Sequence, residues 1–280
     1  MVTNIAYVST VNQIPLICVS VSSLIKSNQD LLVVIHFIYS GSKKSVLVEK
    51  LNALCKALNV ELKLYNLNDH LESDNDISSI YNMPPHLWRL LLPRLLDVES
   101  VLYLDTDTYI CRSISGLLST DLSKYTIAAR TDFASTCGTF LNFIDDNIIS
   151  ETDPYLNSGV LLWNLAHSRK NNDVSQFIAC VTQHWRKCFI YPYPQPDQIV
   201  LNIVFHGRWV QLDPTYNAFI REPEMDDAHI LHFIGNMKPW SGRTPKRLSI
   251  NYWMELLQTP FPFWRFKDFA RRFIQQHIQP

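Results

Sequence analysis

Glycine is scarce in this sequence, with seven glycines among 280 residues. None stands at the spacing of the G-x-G-x-x-G or G-x-x-x-x-G-K loops, whose backbone amides hold phosphate groups. A backbone cradle for a diphosphate is therefore excluded as an interpretation. If the chain binds a diphosphate, a metal ion and cationic side chains must neutralise its charge.

Paired cysteines and an excess of charge are also lacking. The six cysteines are scattered and form no C-x-x-C pair, which argues against a zinc ribbon or a redox dithiol. We expect them to be reduced and mostly buried, as in a cytosolic protein. The formal net charge is -1, so no nucleic-acid partner is predicted.

No hydrophobic run is long enough to cross a bilayer. The most apolar segment, residues 31–39, is much shorter than the roughly 20 residues that a transmembrane helix needs. The N-terminal segment has no basic start and is interrupted by Asn12, Gln13 and Pro15, so we expect no signal peptide. These observations predict a cytoplasmic protein.

Apolar residues follow a strand period and a helix period in turn along the N-terminal part of the chain. Strands are predicted at 5–9, 31–39 and 60–65. Helices are predicted from Pro15, which suits a first helical turn, and over 46–58. This alternation is typical of an α/β fold with a mixed, mainly parallel sheet flanked by helices.

Two aspartates follow the next predicted strand. An apolar helix is predicted at 86–96, and a strand at 101–104 leads directly into Asp105-Thr106-Asp107. Sites in open α/β sheets lie just beyond the carboxyl ends of strands. Two carboxylates there are costly to desolvate without a cation, and Mg²⁺ or Mn²⁺ suits oxygen ligands. The alternative is a strand-end turn with solvated acids.

A second polar segment has the sequence H-F-I-G-N-M-K-P-W at 232–240. The imidazole of His232 could bind the same cation. Gly235 would allow close approach of the backbone to a ligand, and Lys238 is a point charge suited to phosphate. The alternative for His232 is a hydrogen-bonded core histidine followed by a turn.

Two further aspartates are uninformative by themselves. Asp197, followed by Gln198, stands at the start of an apolar helix, where the alternative is a helix N-cap. Asp132 follows an apolar run and could equally be a loop acid.

In order and spacing, four motifs together resemble the family 8 glycosyltransferases: D-T-D at 105–107, Y-L-N-S-G-V-L-L at 155–162, D-Q at 197–198 and H-x-x-G-x-x-K-P-W at 232–240. This retaining group includes bacterial lipopolysaccharide galactosyl- and glucosyltransferases. The resemblance implies a GT-A fold. It also implies transfer of galactose or glucose from a UDP-sugar to a hydroxyl of a lipopolysaccharide or lipooligosaccharide core.

The resemblance implies roles for individual residues. Mn²⁺, or alternatively Mg²⁺, is expected to bind Asp105, Asp107 and His232. The residues expected to bind the donor are Val8, Thr10, Asn12, Arg89, Asp105, Thr106, Asp107, Asn157, Gly235 and Lys238. The catalytic candidates near the transferred sugar are Asp132, Asp197 and Gln198. Gln198 is a poor nucleophile, so substitution on the front face of the sugar is preferred to a double displacement.

The nucleoside end of the expected site departs from the family pattern. The family usually has an acid where Thr10 stands and often an aromatic residue near Gln13. One alternative is therefore a catalytically weak sugar-nucleotide-binding protein of the same fold. Another is a two-carboxylate glycosidase, but such an enzyme needs no metal and leaves His232 and Lys238 unexplained.

The composition changes near Arg247 and becomes aromatic and basic. We divide the chain into a GT-A catalytic domain at 1–247 and a C-terminal helical extension at 248–280. In residues 261–280, aromatic and basic side chains fall on opposite sides of a predicted helix. This pattern predicts attachment to an anionic membrane surface, here the inner face of the cytoplasmic membrane. The alternative is a terminal helix packed on its own domain.

Overall fold

The computed structural model describes residues 2–140, 149–190, 195–241 and 243–265. The strands are β1 (Val2–Val8), β2 (Leu32–Tyr39), β3 (Glu61–Asn66), β4 (Ser100–Leu104), β5 (Thr108–Ile110), β6 (Ile127–Ala129), β7 (Thr131–Thr136), β8 (Pro154–Leu156), β9 (Val160–Asn164), β10 (Trp209–Gln211), β11 (Ala218–Phe219) and β12 (Ile230–His232). The α-helices are α1 (Ile14–Ser27), α2 (Val46–Ala57), α3 (Asn75–Tyr81), α4 (Leu92–Leu95), α5 (Ser115–Leu118), α6 (Cys137–Phe140), α7 (Leu165–Lys170), α8 (Asp173–Ile190), α9 (Pro196–Val204) and α10 (Lys246–Leu256). Short 3₁₀ helices cover Val11–Gln13, Leu67–Asp69, Pro85–Leu91, Pro214–Asn217 and Pro223–Asp226.

The central sheet has seven strands in the order β10-β6-β9-β4-β1-β2-β3. Strand β1 is parallel to β2 and β4, and β2 is parallel to β3. Strand β9 is antiparallel to both β4 and β6, whereas β10 is parallel to β6. The predicted mixed, mainly parallel sheet is confirmed.

The predicted strands and helices of the N-terminal part agree with the structure to within a few residues at each end. The helix predicted at 86–96 is present as a helical segment at 85–95, but it is not one regular α-helix. The chain forms a 3₁₀ helix at Pro85–Leu91 and then the single turn of α4. Pro93 explains the break, because proline has no N–H to bond the carbonyl of Arg89 and its ring would clash there.

Helices cover both faces of the central sheet. Ile5 and Tyr7 of β1 belong to a core that includes α1, α2 and α10. Ala6 and Val8 point to the other face, which packs on the 3₁₀ helix Pro85–Leu91 and on α7, α8 and α9. From Ile5 to Val8 this central strand is covered on both faces and buried, which is why that stretch is a continuous apolar run. Among the described residues, four cysteines are buried and form no disulfide, and Cys111 is exposed and forms none either.

The strand order reverses direction at β1, which lies between β2 and β4. A crevice forms beyond the carboxyl ends of strands at such a point. Val8 ends β1 and Leu104 ends β4, so the residues that follow them meet in this crevice. Strands β11, β12 and β5 form a separate small sheet in which His232 pairs with Thr108. That antiparallel pairing brings the 232–240 segment to the Asp-Thr-Asp motif.

Helix α10 packs against α1. The buried Glu255 carboxylate accepts hydrogen bonds from Ser22 Oγ at 2.5 Å and from Lys26 Nζ at 3.1 Å. Residues 266–280 lie outside the described residues, so the amphipathic helix predicted there stays a prediction. Within the described ranges, no helix combines the length and the apolar character that crossing a bilayer would require.

Candidate active site

Two carboxylates and an imidazole converge beyond the end of β4. The ligand atoms of Asp105, Asp107 and His232 all lie within 4.8 Å of one another. His232 Nε2 is 3.5 Å from Asp105 Oδ2 and 3.3 Å from Asp107 Oδ1. Both carboxylates are partly accessible and the imidazole is buried. This donor set suits a divalent cation such as Mn²⁺ or Mg²⁺.

The tautomer of His232 is fixed by neighbouring amides. Asn217 Nδ2 donates to Asn157 Oδ1 at 2.8 Å, so Asn217 Oδ1 faces the imidazole. That oxygen lies 2.9 Å from His232 Nδ1 and accepts its proton. In the neutral ring, Nε2 would therefore present its lone pair to a cation held by the two carboxylates. Such an arrangement fits a bound cation, and metal-binding histidines usually donate their other N–H in this way.

Asp132 anchors this chain of amides. Its Oδ2 accepts from Asn157 Nδ2 at 2.7 Å and from Gln198 Nε2 at 2.9 Å. Gln198 Oε1 in turn accepts from the backbone N–H of Ser158 at 3.0 Å. One carboxylate thus fixes the orientation of two amide side chains.

Gly159 allows the imidazole to approach the start of β9. A Cβ atom at this position would lie 2.1 Å from His232 Cε1, far inside any van der Waals contact. The carbonyl of Gly159 also accepts the backbone N–H of Asp105 at 2.8 Å. The glycine in the N-S-G motif is therefore required by the close packing of His232.

Arg89 joins the cation site to Asp197. Its buried guanidinium is 2.8 Å from Asp105 Oδ1 and 3.3 Å from Asp197 Oδ2. Burial lowers the pKa of Arg89, but the two carboxylates raise it by more, so the net shift is upward. The Tyr103 hydroxyl donates to the same Asp105 oxygen at 2.6 Å. Asp105 is thus oriented by the guanidinium of Arg89 and the hydroxyl of Tyr103, and its second oxygen faces His232.

Lys238 forms an ion pair with Asp107. The ammonium group also donates to the carbonyl of Phe233. Burial raises the pKa of Asp107, but Lys238 and His232 more than offset this effect and hold that pKa below its ordinary value. The Asp107 carboxylate is therefore kept ionised.

Two cavities meet at these residues. The larger, about 430 Å³, extends from Val8 and Thr10 to Asp107 and Lys238. The smaller, about 220 Å³, includes His232 and the start of α9. His86, Arg89, Asp105 and Asp107 line both cavities. A bipartite ligand could extend from one cavity into the other past the carboxylates.

The structure brings most of the predicted site residues to these cavities. The larger cavity is lined by Val8, Thr10, Arg89, Asp105, Thr106, Asp107 and Lys238. The smaller is lined by Arg89, Asp105, Asp107, Asn157, Asp197, Gln198, His232 and Gly235. Asp132 is linked to the smaller cavity through Asn157 and Gln198. Asn12 is exposed and lines neither of the two cavities, whereas Ser9 and Gln13 line the larger one.

Sequence reasoning missed His86 and Asn217. The buried Nε2 of His86 has no hydrogen-bond partner among the described residues and lies 3.8 Å from Asp197 Oδ1. Burial lowers the pKa of His86, although Asp197 opposes the shift. Its position three residues before Arg89 was a usable signal, because residues three apart in a helix lie on the same side. Asn217 ends the 3₁₀ helix Pro214–Asn217, and no sequence pattern links it to His232.

Comparisons with known proteins agree with this geometry. Residues 4–244 match the model of the family described as Glycosyl transferase family 8. The chain is 27% identical over 200 residues to General stress protein A of Bacillus subtilis (strain 168), covering 64% of this chain and 65% of that protein. It is 23% identical over 256 residues to the lipopolysaccharide 1,2-glucosyltransferase of Escherichia coli (strain K12), covering 85% of this chain and 72% of that protein.

A solved structure shares the fold. The galactosyltransferase LgtC, in complex with donor and acceptor sugar analogues, superposes with a TM-score of 0.69 at 20% identity, covering 92% of this chain and 96% of that one. The predicted GT-A fold is confirmed by this likeness. The chain spans less than two thirds of the length of General stress protein A.

Proposed function

The chain belongs to glycosyl transferase family 8, and on that premise we propose that it transfers galactose or glucose from a UDP-sugar to an acceptor hydroxyl with retention at the anomeric carbon. The observation that carries this proposal is the Asp105, Asp107 and His232 cluster at the junction of two cavities. The larger cavity would hold the nucleotide and the smaller one the hexose. The Escherichia coli relative supports a lipopolysaccharide or lipooligosaccharide core as the acceptor.

The residues around the carboxylates favour Mn²⁺ as the cofactor, with Mg²⁺ as the alternative. A divalent cation bound there would stabilise the negative charge of the departing diphosphate. Lys238 lies beside Asp107 and adds a fixed positive charge for the same phosphates. Gly235 has a φ of 50°, a left-handed conformation that suits glycine and leaves the backbone accessible in the smaller cavity.

The smaller cavity offers polar contacts for the hexose. We assign contacts with its hydroxyls to Asn157, Asp197 and Gln198, with Arg89 holding Asp197 in place. His86 Nε2 lies at the junction of the cavities and provides a further hydrogen-bonding group. Galactose and glucose differ at one hydroxyl, so the orientation of these side chains selects the donor.

Front-face substitution explains retention best. Asp197 is engaged by Arg89 and Ser158, and Asp132 by two amides, so neither carboxylate is poised as a nucleophile. In this mechanism the bond from the anomeric carbon to the phosphate oxygen breaks and the electron pair leaves with UDP. The acceptor oxygen bonds the same face, and its proton passes to the departing phosphate. A trapped covalent glycosyl-aspartate would contradict this mechanism.

We further propose that residues 1–247 form the catalytic domain and that the extension at 248–280 attaches it to a membrane. Ile250 and Met254 on α10 and Leu257 directly after it are exposed, and Phe263 is 74% exposed. With the basic residues of 261–280, this surface fits the anionic inner face of the cytoplasmic membrane. Deleting residues 266–280 should abolish co-sedimentation with vesicles that contain anionic lipid. Undiminished binding would support the packed-helix alternative.

The experiment that tests the reaction is a panel of UDP-sugars with Mn²⁺, in which UDP release is measured without an acceptor. Water serves as a slow acceptor, so the preferred donor is identified before the natural acceptor is known. We expect release from UDP-galactose or UDP-glucose and its loss with EDTA. Tight binding of UDP-sugar without release, even when oligosaccharide cores are added, would support a catalytically weak binding protein. Release that is unaffected by EDTA would contradict the metal assignment.

A further inference from the structure

Two residues of the C-terminal extension line the larger cavity. Trp264 and Arg265 follow α10 and lie beyond residues 4–244, which match the family model. They reach the same cavity as Thr10 and Lys238. The cavity that we assign to the nucleotide is therefore completed by a segment outside the family match.

This segment is held in place by contacts with the rest of the chain. The buried ring of Phe261 lies under the ammonium group of Lys50, which is 4.9 Å from the ring centroid. Lys50 Nζ also donates to the carbonyl of Pro260 at 3.3 Å. The backbone N–H of Trp264 donates to the carbonyl of Phe261 at 3.0 Å. The path of the chain from α10 to the cavity is thus fixed at Phe261.

Trp240 and Trp264 form an aromatic pair at the cavity. Their ring centroids are 5.2 Å apart at an interplanar angle of 83°, an edge-to-face contact that aromatic pairs favour. Trp240 also contacts the buried ring of Tyr252 on α10, with centroids 6.0 Å apart. One tryptophan follows Lys238 and the other belongs to the extension, so the pair joins the two segments.

The guanidinium of Arg265 lies over both indoles. It is 5.4 Å from the centroid of Trp240 and 5.2 Å from that of Trp264. Arginine stacks well on aromatic faces because its charge is delocalised and weakly hydrated. The two rings therefore hold a positive charge at the edge of the cavity.

The other side chains of the lining show what this cluster adds. The N-terminal residues at the cavity, Ser9, Thr10, Gln13 and Leu16, include no aromatic ring. Nucleobases bind well to aromatic faces, and the two indoles are the largest aromatic rings in the lining, which also includes the imidazole of His86. Arg89 and Lys238 are paired with Asp105 and Asp107. Arg265 lines the same cavity and brings a further positive charge to it.

We propose that Trp264 and Arg265 are part of the donor site, with Trp264 contacting the nucleoside and Arg265 binding the diphosphate. This inference rests on the proposed function, because it takes the larger cavity as the nucleotide site. It assigns a binding role to the extension in addition to membrane attachment. The C-terminal extension would then supply a positive charge and an aromatic ring to the donor site.

The test compares UDP and uridine binding to the full chain by calorimetry, with Mn²⁺ present. Arg265→Gln should weaken UDP binding about tenfold, the value of a charged hydrogen bond, and leave uridine binding unchanged. Arg265→Lys should recover most of the loss, and added salt should reduce UDP affinity less in Arg265→Gln than in the wild type. Trp264→Leu should weaken both ligands by about tenfold through lost stacking.

Arg247→Gln is the matched control, because Arg247 is exposed, lies on α10 and pairs with Asp226 away from the cavity. It should bind both ligands as the wild type does. If the wild type binds UDP and Arg265→Gln binds it equally well, the inference is wrong while the proposed function stands. If the wild type binds no UDP with Mn²⁺, both are wrong. Should Trp264→Leu fail to fold, the exposed Arg265 still decides the outcome.

Discussion

Asn217 Oδ1 and His232 Nδ1 are 2.9 Å apart, and this hydrogen bond decides which nitrogen of the imidazole is available to a cation. The amide oxygen can only accept, so Nδ1 carries a proton and Nε2 is the nitrogen left to bind a cation. Asn157 fixes Asn217 by accepting from its Nδ2, and Asp132 fixes Asn157 in the same way. Asp132, through two amides, thus orients the imidazole at the candidate cation site.

Removing the Asn217 oxygen should weaken metal binding while the three proposed ligands stay in place. We expect Asn217→Leu to lower Mn²⁺ affinity by about 10- to 100-fold, the usual effect of losing the partner of a metal-binding histidine. Asn217→Asp should lose less Mn²⁺ affinity, because a carboxylate still accepts the hydrogen bond from His232 Nδ1. Calorimetric titration with Mn²⁺ measures both variants, and Asn251→Ala, at an exposed position of α10, is the control. Equal affinity in Asn217→Leu would show that the amide does not position the ring.

Gly159→Ala should displace His232, because the new methyl group would lie 2.1 Å from Cε1. Overpacking of this kind costs about 1–3 kcal/mol of folding stability. In a His232→Ala background the same substitution should cost much less, since the clashing ring is gone. Urea denaturation of the wild type, the two single variants and the double variant measures this coupling. Additive effects would mean that the glycine is required for another reason.

Asp105→Asn and Asp107→Asn should each lower UDP release by more than about 100-fold. Loss of a metal ligand should have a larger effect than loss of the hydrogen-bond partner of a ligand, which costs about 10- to 100-fold. Each should also remove the rise in melting temperature that Mn²⁺ produces in the wild type. Thermal unfolding with and without Mn²⁺ gives a result that does not depend on turnover. Asp69→Asn is the control, because its carboxylate is partly exposed and pairs with Lys43. A full Mn²⁺ shift in Asp107→Asn would remove that residue from the ligand set.

Stability should fall in mild acid because of His36. Burial lowers its pKa from 6.5 to about 4, helped by Lys63 and opposed by Glu61. The neutral ring accepts from Tyr65 and donates to Asn4. The contribution of neutral His36 to the free energy of unfolding is fully present above pH 6.5 and is lost as the pH falls towards 4. In that range the unfolded chain takes up a proton that the folded chain does not.

The loss of folding stability attributed to His36 is at most about 3 kcal/mol. Urea denaturation between pH 4 and 7 should show a flatter dependence in His36→Gln than in the wild type. Identical slopes in the two proteins would assign the acid sensitivity to other groups.

Local patterns predicted the parts of the site that lie close in sequence. The Asp105 and Asp107 pair was predicted from a buried strand that ends in two acids, because strand ends face the crevice of a parallel sheet. For His232 the local sequence left two alternatives, a ligand of the same cation and a core histidine, and only the family resemblance favoured the first, since its pairing with Thr108 is long-range. At 86–96 the pattern predicted a helix but not its 3₁₀ geometry, because apolar periodicity ignores the effect of Pro93 on the backbone.

Other parts of the site have no local signal. Asn217 contributes one oxygen, and nothing in its neighbouring residues indicates which side chain it contacts. Trp264 and Arg265 are in a segment whose aromatic and basic composition predicted a membrane contact. Their place at the cavity follows from the packing of α10 on α1, which depends on contacts such as that of Glu255 with Ser22. Such long-range packing is not encoded in periodicity or short motifs.

The pairing of Lys238 with Asp107 spans 131 residues, and that of Glu255 with Ser22 spans 233. As the chain leaves the ribosome, the parallel strands β1, β2 and β3 can therefore assemble long before the catalytic centre closes. Until α10 arrives, the apolar surface of α1 that it covers stays open to other molecules, and intermediates of this kind aggregate readily. We expect nascent chains that end before α10 to need chaperones, and activity to arise only after α10 has been synthesised.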